Sequence, residues 1–166
     1  MKKKIILFGI IMFLLIGCSM SNTPTAKVEE VLMKYQRLDA DIKTAIDNVL
    51  DEQNFNNSHK ERYRKLLENQ YKNMTYEIKE ERIDGNTATV ITEIEVLDYK
   101  NAISDLTFDS TVYTKESYDE EKLNRLENAN SKVTYTMELT LTKDEDDIWH
   151  LNALTNEQIK KIQGMF

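Results

Sequence analysis

At Met74 the spacing of apolar residues changes, and that change does most to limit the fold. Upstream the apolar positions recur every three or four residues; downstream they alternate. The first pattern places side chains on one stripe of a helix, the second on one face of a strand. Thr23-Pro24 predicts a helix start, with Thr as N-cap and Pro at the first helical position. Val28, Val31, Leu32 and Tyr35 follow as one stripe, and Ile42, Ala45, Ile46, Val49 and Leu50 as a second. Asn54 to Asn57 breaks the pattern. Ser58-His59-Lys60-Glu61 reads as a capping box for a third helix carrying Tyr63, Leu66, Leu67 and Tyr71.

Beyond Met74, Tyr76 and Ile78 alternate with polar partners, as do Val90, Thr92, Ile94 and Val96 after Asp84-Gly85-Asn86. That is a hairpin. A two-residue Asp84-Gly85 loop would pair Tyr76 with Glu93. A three-residue loop with Asn86 left-handed pairs Tyr76 with Ile94 and Ile78 with Thr92, keeping one apolar face continuous. Register follows the buried face, so the second is preferred. Glu80 and Arg82 then continue the inward parity into a solvated tip. Residues 100–131 are the least readable; Glu120 to Ala129, with Leu123 and Leu126, reads as a helix.

The clearest strand is Val133 to Thr142, where Val133, Tyr135, Met137, Leu139 and Leu141 alternate with Thr or Glu. Such alternation gives one buried and one wet face, as in antiparallel sheets. Asp144 to Asp147 is its turn. A three-residue loop would set Trp149, Leu151 and Ala153 opposite Leu141, Leu139 and Met137. Thr155 opens a last helix with Ile159 and Ile162. Helices followed by antiparallel strands predict an α+β domain over residues 24–166.

The N-terminus carries a different message. Lys2, Lys3 and Lys4 precede an apolar run, Ile5 to Ile16. As a helix these twelve residues span about 18 Å, short of the roughly 30 Å hydrocarbon core. They fit a signal peptide rather than a membrane span. The run ends in Leu15-Ile16-Gly17-Cys18, which resembles a bacterial lipobox. The resemblance implies removal of residues 1–17, diacylglyceryl modification of the Cys18 thiol, and a lipidated tether over residues 18–23. It places the body at the outer face of the cell membrane. Losing Lys2, Lys3 and Lys4 takes the net charge from −7 to −10, so lipid rather than basic charge must supply membrane affinity.

With the lipobox, a helix just beyond it and a late strand carrying Trp149, the chain resembles small bacterial lipoproteins of cystatin-like or nuclear-transport-factor-2-like fold. That implies N-terminal helices packed on a curved antiparallel sheet forming a cone. No catalytic residue follows from the resemblance, because function resides in sites rather than folds.

Exclusions narrow the chemistry. Four glycines, Gly9, Gly17, Gly85 and Gly164, cannot write a phosphate-cradling glycine motif. A single cysteine excludes an internal disulfide and a Cys-paired zinc site, and net negative charge argues against nucleic acid. The inward face holds no group titrating near neutral pH. His59, at the start of a capped helix, and His150, of outward parity, are expected to be exposed. Asp144 to Asp147 lacks the spacing of a calcium loop. Tyr63, Tyr76, Tyr135 and Trp149 are the candidate pocket residues, each offering contact area and a polar tip. No catalytic residue, metal ligand or cofactor is assigned. The expectation is a non-catalytic, membrane-tethered module binding an extracytoplasmic ligand or protein. The alternative is a small hydrolase or isomerase, which requires a buried acid or base beside a tyrosine.

Overall fold

Thr23 does cap the first helix: its side chain accepts from the Ala26 N–H at 3.2 Å, with Pro24 in the first turn. The computed structural model describes residues 21–166, which form an α+β fold. The signal peptide and lipobox residues Leu15, Ile16, Gly17 and Cys18 lie outside the described residues. Three helices come first: α1 (Pro24–Arg37), α2 (Ala40–Glu52) and α3 (Asn57–Asn73). They are followed by β1 (Thr75–Asp84), β2 (Thr87–Leu97), α4 (Tyr99–Ala102), α5 (Lys115–Glu127), β3 (Lys132–Lys143), β4 (Trp149–Leu151) and α6 (Asn156–Ile162). Strand order β1-β2-β3-β4 is an antiparallel meander that stays open.

The predicted stripes face the core, except that Ala45 of the second is exposed. Val28 and Leu32 of α1, Ile42, Ile46 and Leu50 of α2, and Tyr63, Leu66, Leu67 and Tyr71 of α3 join Val90, Ile94, Val96, Met137, Leu139 and Leu141 of the sheet. Each fully buried leucine contributes about 1.5–3 kcal/mol of transfer free energy. α1 crosses the inner face, touching β1, β2 and β4, and α3 packs beside it with α2 and α5 on its flanks. The outer face keeps the threonines of β3 exposed. Where β4 stops, α6 covers the free edge of β3: Gln158 Nε2 donates to the Glu138 carbonyl at 2.7 Å and Lys161 Nζ to that of Thr136 at 3.2 Å. Carbonyls that would invite another strand are thus occupied.

Several local expectations need correction. Asn56, not Ser58, caps α3, accepting from the His59 N–H at 2.8 Å. Tyr76 does pair with Ile94 and Ile78 with Thr92, but the register shifts between Ile78 and Glu80, and Asp84 pairs with Thr87. The loop is therefore Gly85-Asn86, with Gly85, not Asn86, left-handed at φ 59°. The bulge at Lys79 reverses parity beyond it. Glu81 and Ile83 now share the face of Val90 and Ala88, while Glu80 and Arg82 pair on the outer face at 2.6 Å. A bulge adds one residue to one strand, turning every later side chain over.

The β3–β4 register slips by two: Leu141 faces Leu151 and Lys143 faces Trp149. A shift of two preserves the face, so Trp149 remains inward and only 4 % exposed. The longer turn is held by Asp144, whose Oδ1 accepts from the Asp146 and Ile148 N–H groups, and by Asp147 at φ 62°. Strand β4 is only three residues long, so Ala153 does not pair with Met137 as expected. Helix α5 begins at Lys115 rather than Glu120, because Thr114 and Ser117 form a reciprocal capping box. Finally, the folded body reaches back into the 18–23 stretch expected to be tether. Asn22 Nδ2 donates to the Asp147 carbonyl at 2.7 Å and its Oδ1 accepts from the Trp149 N–H at 3.0 Å. Asn22 and Thr23 belong to the body.

Candidate functional site

The four predicted pocket residues occupy different places. Tyr63 is buried in α3 against Phe55, ring centroids 5.6 Å apart. Tyr76 lines a shallow outer cleft of about 300 Å³ with Glu77, Glu93 and Thr134. Tyr135 is half-buried, its hydroxyl donating to the Phe166 carbonyl at 3.0 Å. Trp149 is in the core under Lys143, whose Nζ stands 5.1 Å from the ring centroid. Each has its own neighbours, so the sheet does not gather them around one ligand. Their number on apolar faces reflects core packing: Tyr99, which the sequence did not single out, is only 1 % exposed and burial pushes its phenol up to about 12.

His59 departs most from expectation. It is only 5 % exposed rather than open to solvent. With the helix starting at Asn57, His59 stands one turn before Tyr63 and shares its inward stripe. Its Nε2 lies 3.1 Å from Glu120 Oε2, and its Nδ1 is buried without a partner. Around it, α3 and α5 are clamped. Arg62 reaches Glu120 at 2.7 Å, Asn124 at 2.8 Å, and both oxygens of Glu127 at 2.8 Å. A guanidinium fork matches this bidentate arrangement. Phe55 sits beside the pair, with Lys115 and Lys122 ammonium groups 5.7 and 5.8 Å from its ring centroid. Lys115 also pairs with the buried Asp119. An open hollow of about 270 Å³ adjoins His59, lined also by Asn56, Lys115 and Asp119.

One ring nitrogen of His59 thus faces Glu120 and the other is buried without a partner, beside the hollow. The pH response of the clamp has a definite sign. Hydrogen bonds from Arg62 hold Glu120 and Glu127 below the usual carboxylate range. A depressed native value stabilises the fold above the unfolded-state value near 4.3 and loses that contribution as pH falls through the lowered range. Arg62→Gln should therefore lower the urea midpoint more at pH 7 than at pH 3. An equal loss at both would show that Arg62 acts through packing alone.

A cleft of about 360 Å³ lies elsewhere, between the end of β2, α4 and the α5–β3 connection. Asp98, Asn101, Arg125, Asn128, Asn130 and Ser131 line it. Asp98 is fixed as the cap of α4, accepting from the Asn101 N–H at 2.9 Å, and its own N–H donates to the Ser131 carbonyl. Arg125 is held by Asp105 and Glu121 at 2.6 and 2.7 Å. Amides, a hydroxyl, a carboxylate and a guanidinium offer donors and acceptors at the element ends. Every one of these residues lies in or just beside the segment least readable from sequence.

In the exposed Asp144 to Asp147 turn, Asp144 alone bonds the turn's own backbone. Asp144 is held below the usual range first by His150, at 2.6 Å, and then by backbone N–H groups. His150 itself is exposed. Among the described residues no helix is long and apolar enough to cross a membrane. Comparison with family models, curated proteins and solved structures returns no match.

Proposed function

We propose that this chain is a lipoprotein anchored through Cys18 at the outer face of the cell membrane, with a non-catalytic body that binds an extracytoplasmic ligand or protein partner. The observation that carries the reading is the junction. A lipobox-like Leu15-Ile16-Gly17-Cys18 stands four residues before Asn22, where the folded body begins on two hydrogen bonds. An export signal that ends immediately at a folded domain fits a body delivered to, and kept at, a membrane surface. The order of helices then an antiparallel meander supports a cystatin-like or nuclear-transport-factor-2-like assignment. The binding surface best supported is the cleft at Asp98 and Ser131, which is open and lined by hydrogen-bonding side chains.

The second reading, a small hydrolase or isomerase, has one observation in its favour: His59 is buried beside Glu120. The sealed Nδ1 and the engaged Nε2 weigh against a general base, which must reach the proton it removes. Cys18→Ala should shift the protein from the membrane to the soluble fraction or leave an uncleaved precursor. Unchanged detergent partitioning with normal processing would refute the anchored reading.

A further inference from the structure

We propose that the end of the body carrying the two hairpin turns faces the bilayer, turning the Asp98–Ser131 cleft outward. This rests on lipidation of Cys18, and goes beyond it by assigning which surface meets lipid and which meets partners. Asn22 is held by the Asp147 carbonyl and the Trp149 N–H, so the chain enters the body at the β3–β4 turn. Four residues of chain from Cys18 to Asn22 reach at most about 14 Å. The same end holds the Asp84–Thr87 turn, because Thr87 pairs with Thr142. It also holds the start of α1, where Thr25 donates twice to Glu81 Oε2, at 2.9 and 2.8 Å.

The cleft is at the other end. Leu97 pairs with Lys132, and Asp98 and Ser131 are the next residues out. Ten residues of strand at about 3.3 Å each separate Thr87 from Leu97, roughly 33 Å. The tether cannot bring that end to the bilayer unless the body lies on its side. The turn end is itself acidic, with Asp84 and Asp144 to Asp147 exposed, so the short tether, not charge, holds it near the leaflet. At that end Ile83 and Ile148 are exposed, apolar contacts for the interface where the body is held closest.

The test uses the full lipidated chain in vesicles of mixed neutral and anionic phospholipid. Glu145→Cys and Asn130→Cys, both at exposed positions, each carry a donor fluorophore, with an acceptor on lipid headgroups. Cys18, as a thioether, is blocked. Sedimentation is read first: protein left in the supernatant overturns the anchored reading and the orientation with it. For pelleted protein, the roughly 33 Å between ends should make energy transfer at least about twofold higher from position 145 than from 130. Equal transfer, or more from 130, overturns the orientation while leaving the anchor standing.

Discussion

Gln70→Leu should destabilise the fold by about 3 kcal/mol, read as a fall in the urea midpoint at unchanged slope. Gln70 is only 1 % exposed. Its Nε2 donates to the carbonyls of Leu97, at 2.8 Å, and Gln163, at 3.1 Å, while its Oε1 accepts from the Leu97 N–H at 3.0 Å. One amide therefore satisfies three backbone groups at the end of β2 and the end of α6. Leucine fills a similar volume but pairs with none of them. Leaving a buried donor or acceptor unpaired costs about 1–3 kcal/mol each, more than the bond itself contributes. A loss under about 1 kcal/mol would show that water takes over these bonds, and that the knot is less closed than its geometry implies.

Gly164→Ala should cost a comparable amount, about 3 kcal/mol, or displace the last residues of the chain. Gly164 has φ 69°, where an L side chain is strained by about 1 kcal/mol or more. The added Cβ would stand 2.0 Å from the Leu97 carbonyl oxygen and 2.4 Å from Gln70 Nε2. Something must move, and what moves is already bonded: the Gly164 carbonyl accepts from the Lys100 N–H at 2.8 Å. The check is the urea midpoint together with the amide resonances of Leu97 and Lys100. A midpoint within about 0.5 kcal/mol of the parent would mean the C-terminal segment bends away freely. Because both substitutions damage one knot, the double variant should lose less than the two single losses together.

The elements that sequence exposes best are those whose pattern is local. Thr23-Pro24 and Thr155 open helices where expected, and the strand from Val133 alternates as written, because caps and period-two patterns need no distant partner. Register survived where a buried face enforced it, as at Tyr76–Ile94. It failed at the hairpin tip, where β1 is exposed on both faces and nothing penalised the bulge at Lys79. The left-handed corner at Leu38, φ 55°, has no glycine to announce it. Its side chain is 5 % exposed, so tertiary burial offsets a local strain that a sequence pattern does not show.

The site was less legible than the fold. His59 carried a usable signal, its four-residue spacing to Tyr63, which was masked by placing the cap two residues late at Ser58. The cleft at Asp98, Asn101 and Ser131 joins residues up to 33 positions apart in a stretch with no clear period. Gln70 was invisible for a related reason. A lone glutamine among charged residues on α3 looks like surface until β2 and α6 close over it.

The grip of Asn22 also has a mechanical meaning. Any pull on the chain upstream is borne first by the Asp147 carbonyl and the Trp149 N–H, at the short, three-residue β4. On the anchored reading proposed above, load arriving through Cys18 would pass to that strand as well as to the leading helix.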